Sequence, residues 1–157
     1  PPRPQTLYGE IKALAEADMP PGYVSLRTTG VYGPNVPGRR HKWAELFAAY
    51  LAGEPIAPRV SSEVLASDVA SAVARVATPP APPAIVNVSD LILDRRDLLA
   101  RLAETSGVKN PLPTYADRTS LRVMDTSLLQ SLGWTPSGTA GLEAVLAELL
   151  ATESVPK

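Results

Sequence analysis

The sequence predicts an α/β domain with parallel strands, and three observations carry this prediction. Two segments, YVSLRTT and AIVNVS, have the β-branched and apolar composition of buried strands. Segments with helical spacing of apolar residues lie between them, and strands separated by helices pair in parallel. The chain has 157 residues, of which 45% are hydrophobic and 20% are charged, enough for one domain with a real core.

The first half begins with a helix at LYGEIKALAEA, which Thr6 caps and DMPPG ends. YVSLRTT follows as a buried strand, and GVYGPN is predicted to be the loop after it. HKWAELFAAYLAG is predicted to be an amphipathic helix that Gly53 ends. Its apolar residues on one face are predicted to be core, namely Trp43, Leu46, Phe47, Tyr50 and Leu51. EPIAPRVSSEVLA is predicted to be extended, with prolines that keep its first part out of a central strand.

The second half continues with a helix at DVASAVARVAT, which Ser67 or Asp68 would cap and PPAPP ends. After the strand AIVNVS, a helix at DRRDLLARLAETSG is capped by Asp94 and ended by Gly107. A short helix at DTSLLQSLGW, with Asp125 as its cap, precedes a closing amphipathic helix at SGTAGLEAVLAELLATE. Two parallel strands are few for six helices, so we expect this chain to be the second half of a larger sheet.

Composition excludes several classes of function. The formal net charge of -1 provides no positive field for nucleic acid or an acidic membrane surface. No apolar run approaches the roughly 20 residues of a membrane span, and no secretory pattern is seen. With no cysteine and one histidine, His41, we expect no metal site. These features favour a cytoplasmic enzyme or binding domain.

Tyr8 and Lys12 are the strongest candidate for a catalytic pair in the sequence. Residues four apart on a helix face the same way, so a phenol and an ammonium can meet at one point. A nearby positive charge favours the phenolate form of a tyrosine, which makes it a usable general acid or base. The spacing alone is a weak signal, because an exposed polar pair on a solvated helix has the same pattern.

The surrounding motifs strengthen the catalytic interpretation. YGEIKALAE followed by SLRTTGVYGPN resembles the extended short-chain dehydrogenase/reductase family, which includes nucleotide-sugar epimerases and dehydratases. The family pattern of Tyr-Gly-x-x-Lys, often with a glutamate four residues later, is met by Tyr8, Lys12 and Glu16. Three downstream segments also resemble family signatures in the correct order, namely SDVASAVARVA, IVNVSD and DTSLLQSLGWTPSG.

The resemblance implies an NAD(P)-dependent epimerase/dehydratase fold and chemistry. Tyr8 would exchange a proton with a substrate hydroxyl, while Lys12 would hold the nicotinamide ribose and favour the phenolate of Tyr8. The loop after the strand would lie near the nicotinamide, with Thr28, Thr29, Gly30 and Val31. The family's glycine-rich dinucleotide fingerprint is not in this sequence. We therefore expect residues 1–157 to be the C-terminal half, the last part of a Rossmann-like parallel sheet with a small, mostly helical substrate-binding portion.

The substrate is expected to be a sugar or a nucleotide sugar. In the basic loop PGRRHK, Arg39, Arg40 and His41 could bind a phosphate or carboxylate of the substrate. The alternative is a basic loop that is only exposed to solvent. Many nucleotide-sugar members carry a diphosphate-binding arginine at the position of Ser61 here, and Arg59 would replace it after a register shift.

Two alternatives remain open from the sequence. The family's asparagine before Val-Tyr-Gly-Pro is Gly30 here, which favours a reductase or dehydrogenase of a small non-nucleotide carbonyl compound. The other alternative is a non-catalytic nucleotide-binding module, against which the presence of Tyr8 and Lys12 argues. The resemblance also implies a homodimer formed through the tyrosine-bearing helix.

Overall fold

The structure, a computed structural model, describes residues 4–119 and 121–153. Within these ranges the chain forms six helices and five strands. The strands are β1 (Ser25–Thr28), β2 (Gly30–Tyr32), β3 (Val60–Leu65), β4 (Ile85–Val88) and β5 (Leu91–Asp94). The helices are α1 (Leu7–Ala17), α2 (Ala44–Leu51), α3 (Ala66–Ala77), α4 (Arg95–Ser106), α5 (Ser127–Ser131) and α6 (Gly138–Glu153).

The two predicted strands pair with each other in parallel. Residues of β1 and β4 are in register from Ser25 opposite Ile85 to Thr28 opposite Val88. The chain passes through α2 and α3 between these strands, as a parallel connection requires. The α/β fold class predicted from the sequence is therefore confirmed.

A second, mixed sheet has the order β2-β3-β5. Strand β2 pairs in parallel with β3, and β3 pairs antiparallel with β5. The predicted loop GVYGPN is therefore wrong in its first part, because Gly30–Tyr32 pairs with residues 63–65. Strand β5 was not predicted. The small portion of the chain that was expected to be mostly helical contains this three-stranded sheet. Short strands like these depend on partners distant in sequence, which local composition does not reveal.

The hydrophobic core has two clusters. The larger lies between the mixed sheet and the helices α2, α4 and α6, and it contains the predicted core residues Trp43, Phe47 and Tyr50. The smaller joins β3, β4, α3 and α5 around Val64, Val88 and other residues, and it includes Trp134. The sequence prediction that the aromatic residues of α2 form core is confirmed.

Local capping explains where several helices begin and end. The Thr6 hydroxyl accepts a hydrogen bond from the backbone N–H of Gly9 at 3.1 Å, as predicted for the start of α1. The buried Asp94 carboxylate accepts from Arg96 N–H at 3.0 Å and caps α4, which ends at Gly107 with φ of 71°. The N-cap of α5 is Thr126 and not the predicted Asp125, although the Asp125 carboxylate accepts from Ser127 N–H at 2.9 Å directly before the helix.

The predicted cap of α3 is wrong. Helix α3 starts at Ala66, and neither Ser67 nor Asp68 is its N-cap, which is Leu65. The buried Asp68 carboxylate accepts hydrogen bonds from the backbone N–H and the hydroxyl of Ser137, at 2.9 and 2.7 Å. Its backbone carbonyl accepts from Trp134 Nε1 at 2.9 Å. Asp68 therefore joins the start of α3 to the start of α6.

Helix α1 packs differently from the other helices. Over its described length it has no buried residue, and Leu7, Ile11 and Leu14 are 72%, 56% and 69% exposed. No helix in the described ranges is long and apolar enough to cross a membrane.

Candidate active site

Tyr8 and Lys12 lie together on the exposed side of α1. The Lys12 Nζ is 5.5 Å from the centroid of the Tyr8 ring, within the range of a cation–π contact. Both side chains line an open groove of ≈ 440 Å³ beside the end of β1. The Tyr8 side chain is 72% exposed, so its phenol is accessible to a ligand in this groove.

The groove is fixed by an ion pair between α1 and β1. Arg27 Nε donates to Glu16 Oε2 at 2.8 Å, and Arg27 Nη2 donates to Glu16 Oε1. The hydroxyl of Ser25 donates to the same Glu16 Oε2 at 2.7 Å. The Arg27 guanidinium holds the pKa of the Glu16 carboxyl below its ordinary value near 4.5. This fork of hydrogen bonds sets the position of the helix that carries Tyr8 and Lys12 relative to the strand.

The four residues predicted to approach the nicotinamide are divided between two places. Thr28, the last residue of β1, lines the groove with Tyr8 and Lys12. Thr29 donates from its N–H to the carbonyl of Val88 at 3.1 Å and continues the pairing with β4. Gly30 and Val31 belong to β2, and Gly30 lines a second cavity. The carboxyl end of β1 is therefore the point where the two sites adjoin.

The second cavity, of ≈ 260 Å³, lies between the mixed sheet and helices α2 and α4. The ammonium of Lys42 donates to Glu63 Oε2, and the Ser61 hydroxyl donates to Glu63 Oε1 at 2.8 Å. The Glu63 side chain is 5% exposed and that of Lys42 is 33% exposed, so the lysine is the more accessible partner. Arg59 and Arg95 also line this cavity.

Gly30 provides the space for this ion pair. A Cβ atom at residue 30 would lie 2.5 Å from Lys42 Nζ and 2.6 Å from Glu63 Oε2. Contacts this short do not occur at real Cβ atoms, so any other residue would displace the pair. The glycine that replaces the family's asparagine and the Lys42–Glu63 pair are therefore structurally linked.

The basic loop does not gather its charges at one point. Arg39 and Arg40 are exposed, and Arg40 Nη1 lies 3.8 Å from the carboxylate of Glu45. His41 is half-buried, with its Nδ1 accepting from Trp43 N–H at 3.2 Å and its ring 5.3 Å from that of Phe47. Neither arginine is among the residues that line the two cavities described above.

Arg59 lines two neighbouring open spaces. Besides the 260 Å³ cavity, it lines an open groove of ≈ 620 Å³ together with Gln5, Tyr115 and Arg122. Gln5 precedes α1, so this groove leads towards the helix that carries Tyr8. Arg59 is therefore the predicted substrate-binding residue that the fold places nearest to both cavities.

Tyr32 is not an alternative proton donor or acceptor near neutral pH. Burial is the largest cause that raises the pKa of Tyr32 to about 12, and the negative charges of Asp90, Asp68 and Glu63 raise it further. Its buried hydroxyl has no hydrogen-bond partner among the described residues. Tyr32 therefore remains a protonated core residue.

The sequence reasoning did not single out Lys42 and Glu63 as a site. Glu63 itself could have indicated this site, because a carboxylate next to Val64 and Leu65 in a buried strand needs a hydrogen-bonding or charged partner. The partner lies 21 residues away, in a different element, and no local pattern indicates it. Across the described ranges, no group of three or more His, Asp or Glu side chains is placed to hold a metal ion.

Comparison with known proteins finds similarity in structure. No protein-family model matches this sequence. No curated protein sequence matches it significantly. The fold is similar to that of a UDP-glucose 4-epimerase from Thermotoga maritima solved with UDP-glucose, at a TM-score of 0.69 and 23% identity. It is also similar to the NAD complex of UDP-glucose 4-epimerase from Thermus thermophilus, at 0.64 and 25%. A third similar structure is the Bordetella bronchiseptica enzyme WbmG with NAD and UDP, at 0.72 and 22%.

These three matches cover 98%, 99% and 94% of this chain, but only 56%, 57% and 52% of the solved chains. The chain therefore spans about half the length of the proteins it resembles. The structural similarity to UDP-glucose 4-epimerases confirms the resemblance to the extended short-chain dehydrogenase/reductase family that the motifs indicated. It also confirms the Rossmann-like α/β fold class.

Proposed function

We propose that residues 1–157 are the C-terminal half of an NAD(P)-dependent epimerase/dehydratase-type oxidoreductase that acts on a sugar or nucleotide-sugar hydroxyl. The observation that carries this proposal is the groove shared by Tyr8, Lys12 and Thr28 at the carboxyl end of β1. Ligands of parallel α/β sheets bind at this end of the strands. The similar structures with NAD and UDP-sugars support the same conclusion.

Tyr8 is proposed to be the general base. Its phenol is accessible, and the Lys12 ammonium lies 5.5 Å from the ring centroid in the same groove. The phenolate oxygen takes the proton of a substrate hydroxyl and returns it in the reverse direction. A bound nicotinamide supplies the hydride chemistry at the substrate carbon.

The described residues fit one part of a cofactor site. Lys12 and the hydroxyl of Thr28 line the same groove and can donate hydrogen bonds to a ribose. Thr29, Gly30 and Val31 follow at the end of the strand, where a nicotinamide would lie. The glycine-rich fingerprint that approaches a pyrophosphate is proposed to lie in the N-terminal half, so the choice between NAD and NADP is made outside these residues.

The substrate site is proposed to be the region around Arg59, and Arg39, Arg40 and His41 remain proposed substrate-binding residues on the basic loop. Arg59 lines both neighbouring cavities, and its guanidinium suits a phosphate or carboxylate. The second candidate function is a reductase or dehydrogenase of a small non-nucleotide carbonyl compound. Gly30 and Ser61 favour it, because they stand where many nucleotide-sugar members carry an asparagine and a diphosphate-binding arginine.

The experiment that tests this function compares tyrosine variants of the complete protein. Tyr8→Phe removes the phenolic proton acceptor and is expected to lower kcat by about 100-fold or more, in the range of general acid–base contributions. NAD(P) binding, measured by fluorescence or calorimetry, should be retained. The matched control is Tyr23→Phe, at another exposed tyrosine that does not line the groove.

Two results would contradict the proposal. A complete protein that binds neither NAD nor NADP would exclude the oxidoreductase function and favour a non-catalytic module. An unchanged kcat in Tyr8→Phe, with cofactor still bound, would exclude Tyr8 as the base. The expected cytoplasmic location and homodimeric state belong to the same proposal.

A further inference from the structure

Three residues of α1 follow one another at intervals of four and share one face of the helix, namely Tyr8, Lys12 and Glu16. All three line the same groove. Lys12 therefore has two neighbours within reach, a phenol one turn before it and a carboxylate one turn after it. Because these neighbours lie on opposite sides of the lysine, its ammonium can approach only one of them closely.

The contacts of Lys12 show which neighbour it approaches. Its Nζ lies 5.5 Å from the centroid of the Tyr8 ring. Within residues 4–119 and 121–153, no carboxylate forms an ion pair with this ammonium. A lysine and a glutamate four residues apart on a helix attract each other, so a physical cause must keep Glu16 from pairing with Lys12.

Donors from β1 already occupy the carboxylate of Glu16. Its Oε2 accepts from Arg27 Nε at 2.8 Å and from the Ser25 hydroxyl at 2.7 Å, and its Oε1 accepts from Arg27 Nη2. The Arg27 guanidinium also neutralises the carboxylate at contact distance. A carboxylate that is bound at both oxygens and neutralised has little attraction left for the ammonium of Lys12.

We infer that Arg27 is a positioning residue for Lys12: by holding the carboxylate of Glu16, it leaves the ammonium beside Tyr8, where a cofactor ribose can bind it. This inference rests on the proposed function, which gives Lys12 its role at the nicotinamide ribose. Arg27 acts here through Glu16 and not by contact with the reacting atoms. Loss of Arg27 should therefore displace Lys12, and the further loss of the carboxylate should reverse the displacement.

The first measurement is the dissociation constant of NAD or NADP with the complete protein, by calorimetry. In Arg27→Met the carboxylate of Glu16 is free to pair with Lys12. We expect cofactor binding to weaken about tenfold, the equivalent of one hydrogen bond to a charged group. Adding Glu16→Gln should make the cofactor bind several-fold more tightly than to Arg27→Met alone. If Glu16 and Arg27 only attached α1 to β1, the second substitution would bring no such recovery.

The second measurement needs no cofactor. The ring current of Tyr8 shifts the NMR resonances of the Lys12 ε-methylene group, which isotope-labelled lysine makes visible and Lys12→Gln identifies. We expect Arg27→Met to move these resonances towards their position in Tyr8→Leu, which has no ring. Adding Glu16→Gln should return them towards their position in the unsubstituted protein.

A third variant, Arg27→Lys, keeps the test decisive if Arg27→Met does not fold. It retains the positive charge but replaces the fork of two hydrogen bonds by one ammonium, which leaves a carboxylate oxygen open to Lys12. We expect the same changes as in Arg27→Met at smaller size. The matched control, Arg101→Met, breaks the exposed ion pair with Glu143 and should change neither the cofactor affinity nor the Lys12 resonances.

The inference is overturned if the Lys12 resonances stay in place in both Arg27 variants, or if adding Glu16→Gln leaves them displaced. It is also overturned if a cofactor that binds the unsubstituted protein binds Arg27→Met equally well. The proposed function is tested separately by cofactor binding and by Tyr8→Phe. A complete protein that binds neither NAD nor NADP, but shows the expected NMR changes, would contradict the proposed function and support the positioning of Lys12 by Arg27.

Discussion

At the scale of single residues, Glu16 connects the candidate catalytic helix to the sheet. Its carboxylate accepts three hydrogen bonds, two from Arg27 and one from Ser25. The side chains of Glu16 and Arg27 are 13% and 30% exposed, so water screens this pair less than an ordinary surface pair. Because α1 has no buried side chain within its described length, this polar contact carries much of its attachment to β1.

Glu16→Gln is expected to reduce the free energy of unfolding by about 1–3 kcal/mol at pH 7, because charge-assisted hydrogen bonds are lost. The measurement is chemical denaturation of the complete protein, with Glu54→Gln as the control at an exposed glutamate. The same variant is expected to impair turnover, since the groove that holds Tyr8 loses its fixed geometry. A loss no greater than in the control would mean that other contacts hold α1 in place.

The pH dependence of this contribution has a defined sign. The pKa of Glu16 is lower in the folded chain than its ordinary value near 4.5, chiefly because Arg27 donates hydrogen bonds to it. The stabilisation is therefore fully present above about pH 4.5 and is lost as the pH falls through the lower folded pKa. The difference in stability between the unsubstituted protein and Glu16→Gln should shrink over this acidic window. A difference independent of pH would contradict the assignment.

Residue spacing predicted part of the candidate site. Tyr8 and Lys12 were found because residues four apart on a helix must lie on one face. Arg27, the partner of Glu16, was not found in this way, because it lies 11 residues away on a strand. The Lys42–Glu63 pair was missed for the same reason, because it joins the segment before α2 to the middle of β3. Local periodicity identifies the first kind of contact, and only the tertiary fold identifies the second.

At the scale of elements, Asp68 joins two helices that are far apart in the sequence. Its carboxylate accepts from both the N–H and the hydroxyl of Ser137, directly before α6. The N–H of the next residue, Gly138, donates to Asp90 at 3.0 Å. The start of α6 is therefore held by two carboxylates, one from α3 and one from the turn between β4 and β5.

Replacing Asp68 with Asn is expected to destabilise the protein by about 1–2 kcal/mol, because the hydrogen bonds to Ser137 lose the carboxylate charge and one oxygen becomes an NH2 group that faces a single Ser137 donor. Ser137→Ala removes one of the two bonds and should cost about 1 kcal/mol. Since both changes affect the same contact, the double variant should cost less than the sum of the two. Strict additivity in urea denaturation would show that Asp68 stabilises the fold through other contacts.

Elements were predictable where their signals are local. Asp94 and Gly107 bound α4 as expected, because a cap and a left-handed glycine act within a few residues. Asp68 was wrongly predicted to cap α3, because its hydrogen-bond partner, Ser137, is 69 residues away in the sequence. Strands β2 and β5 were missed for the same reason, since each is only three or four residues long and pairs with β3.

At the scale of the whole molecule, α1 has an apolar face without a partner in the described structure. Leu7, Ile11 and Leu14 recur at helical spacing and are more than half exposed. Exposed contiguous apolar surface of this kind marks an interface. The proposed homodimer would pack this face against its copy, as the family resemblance implies for the tyrosine-bearing helix.

Ile11→Glu is expected to convert the complete protein from dimer to monomer. A two-fold interface contains the substitution twice, so two carboxylates would be buried against apolar side chains. Glutamate favours helix, and Ile11 is exposed in the chain, so α1 itself should still form. Sedimentation velocity measures the change, and the control is Val73→Glu, at an exposed valine of α3. If Ile11→Glu remains dimeric while Tyr8 variants lose activity, the face packs instead against the proposed N-terminal half. The dimer would then form elsewhere, and the catalytic helix would be positioned entirely within one subunit.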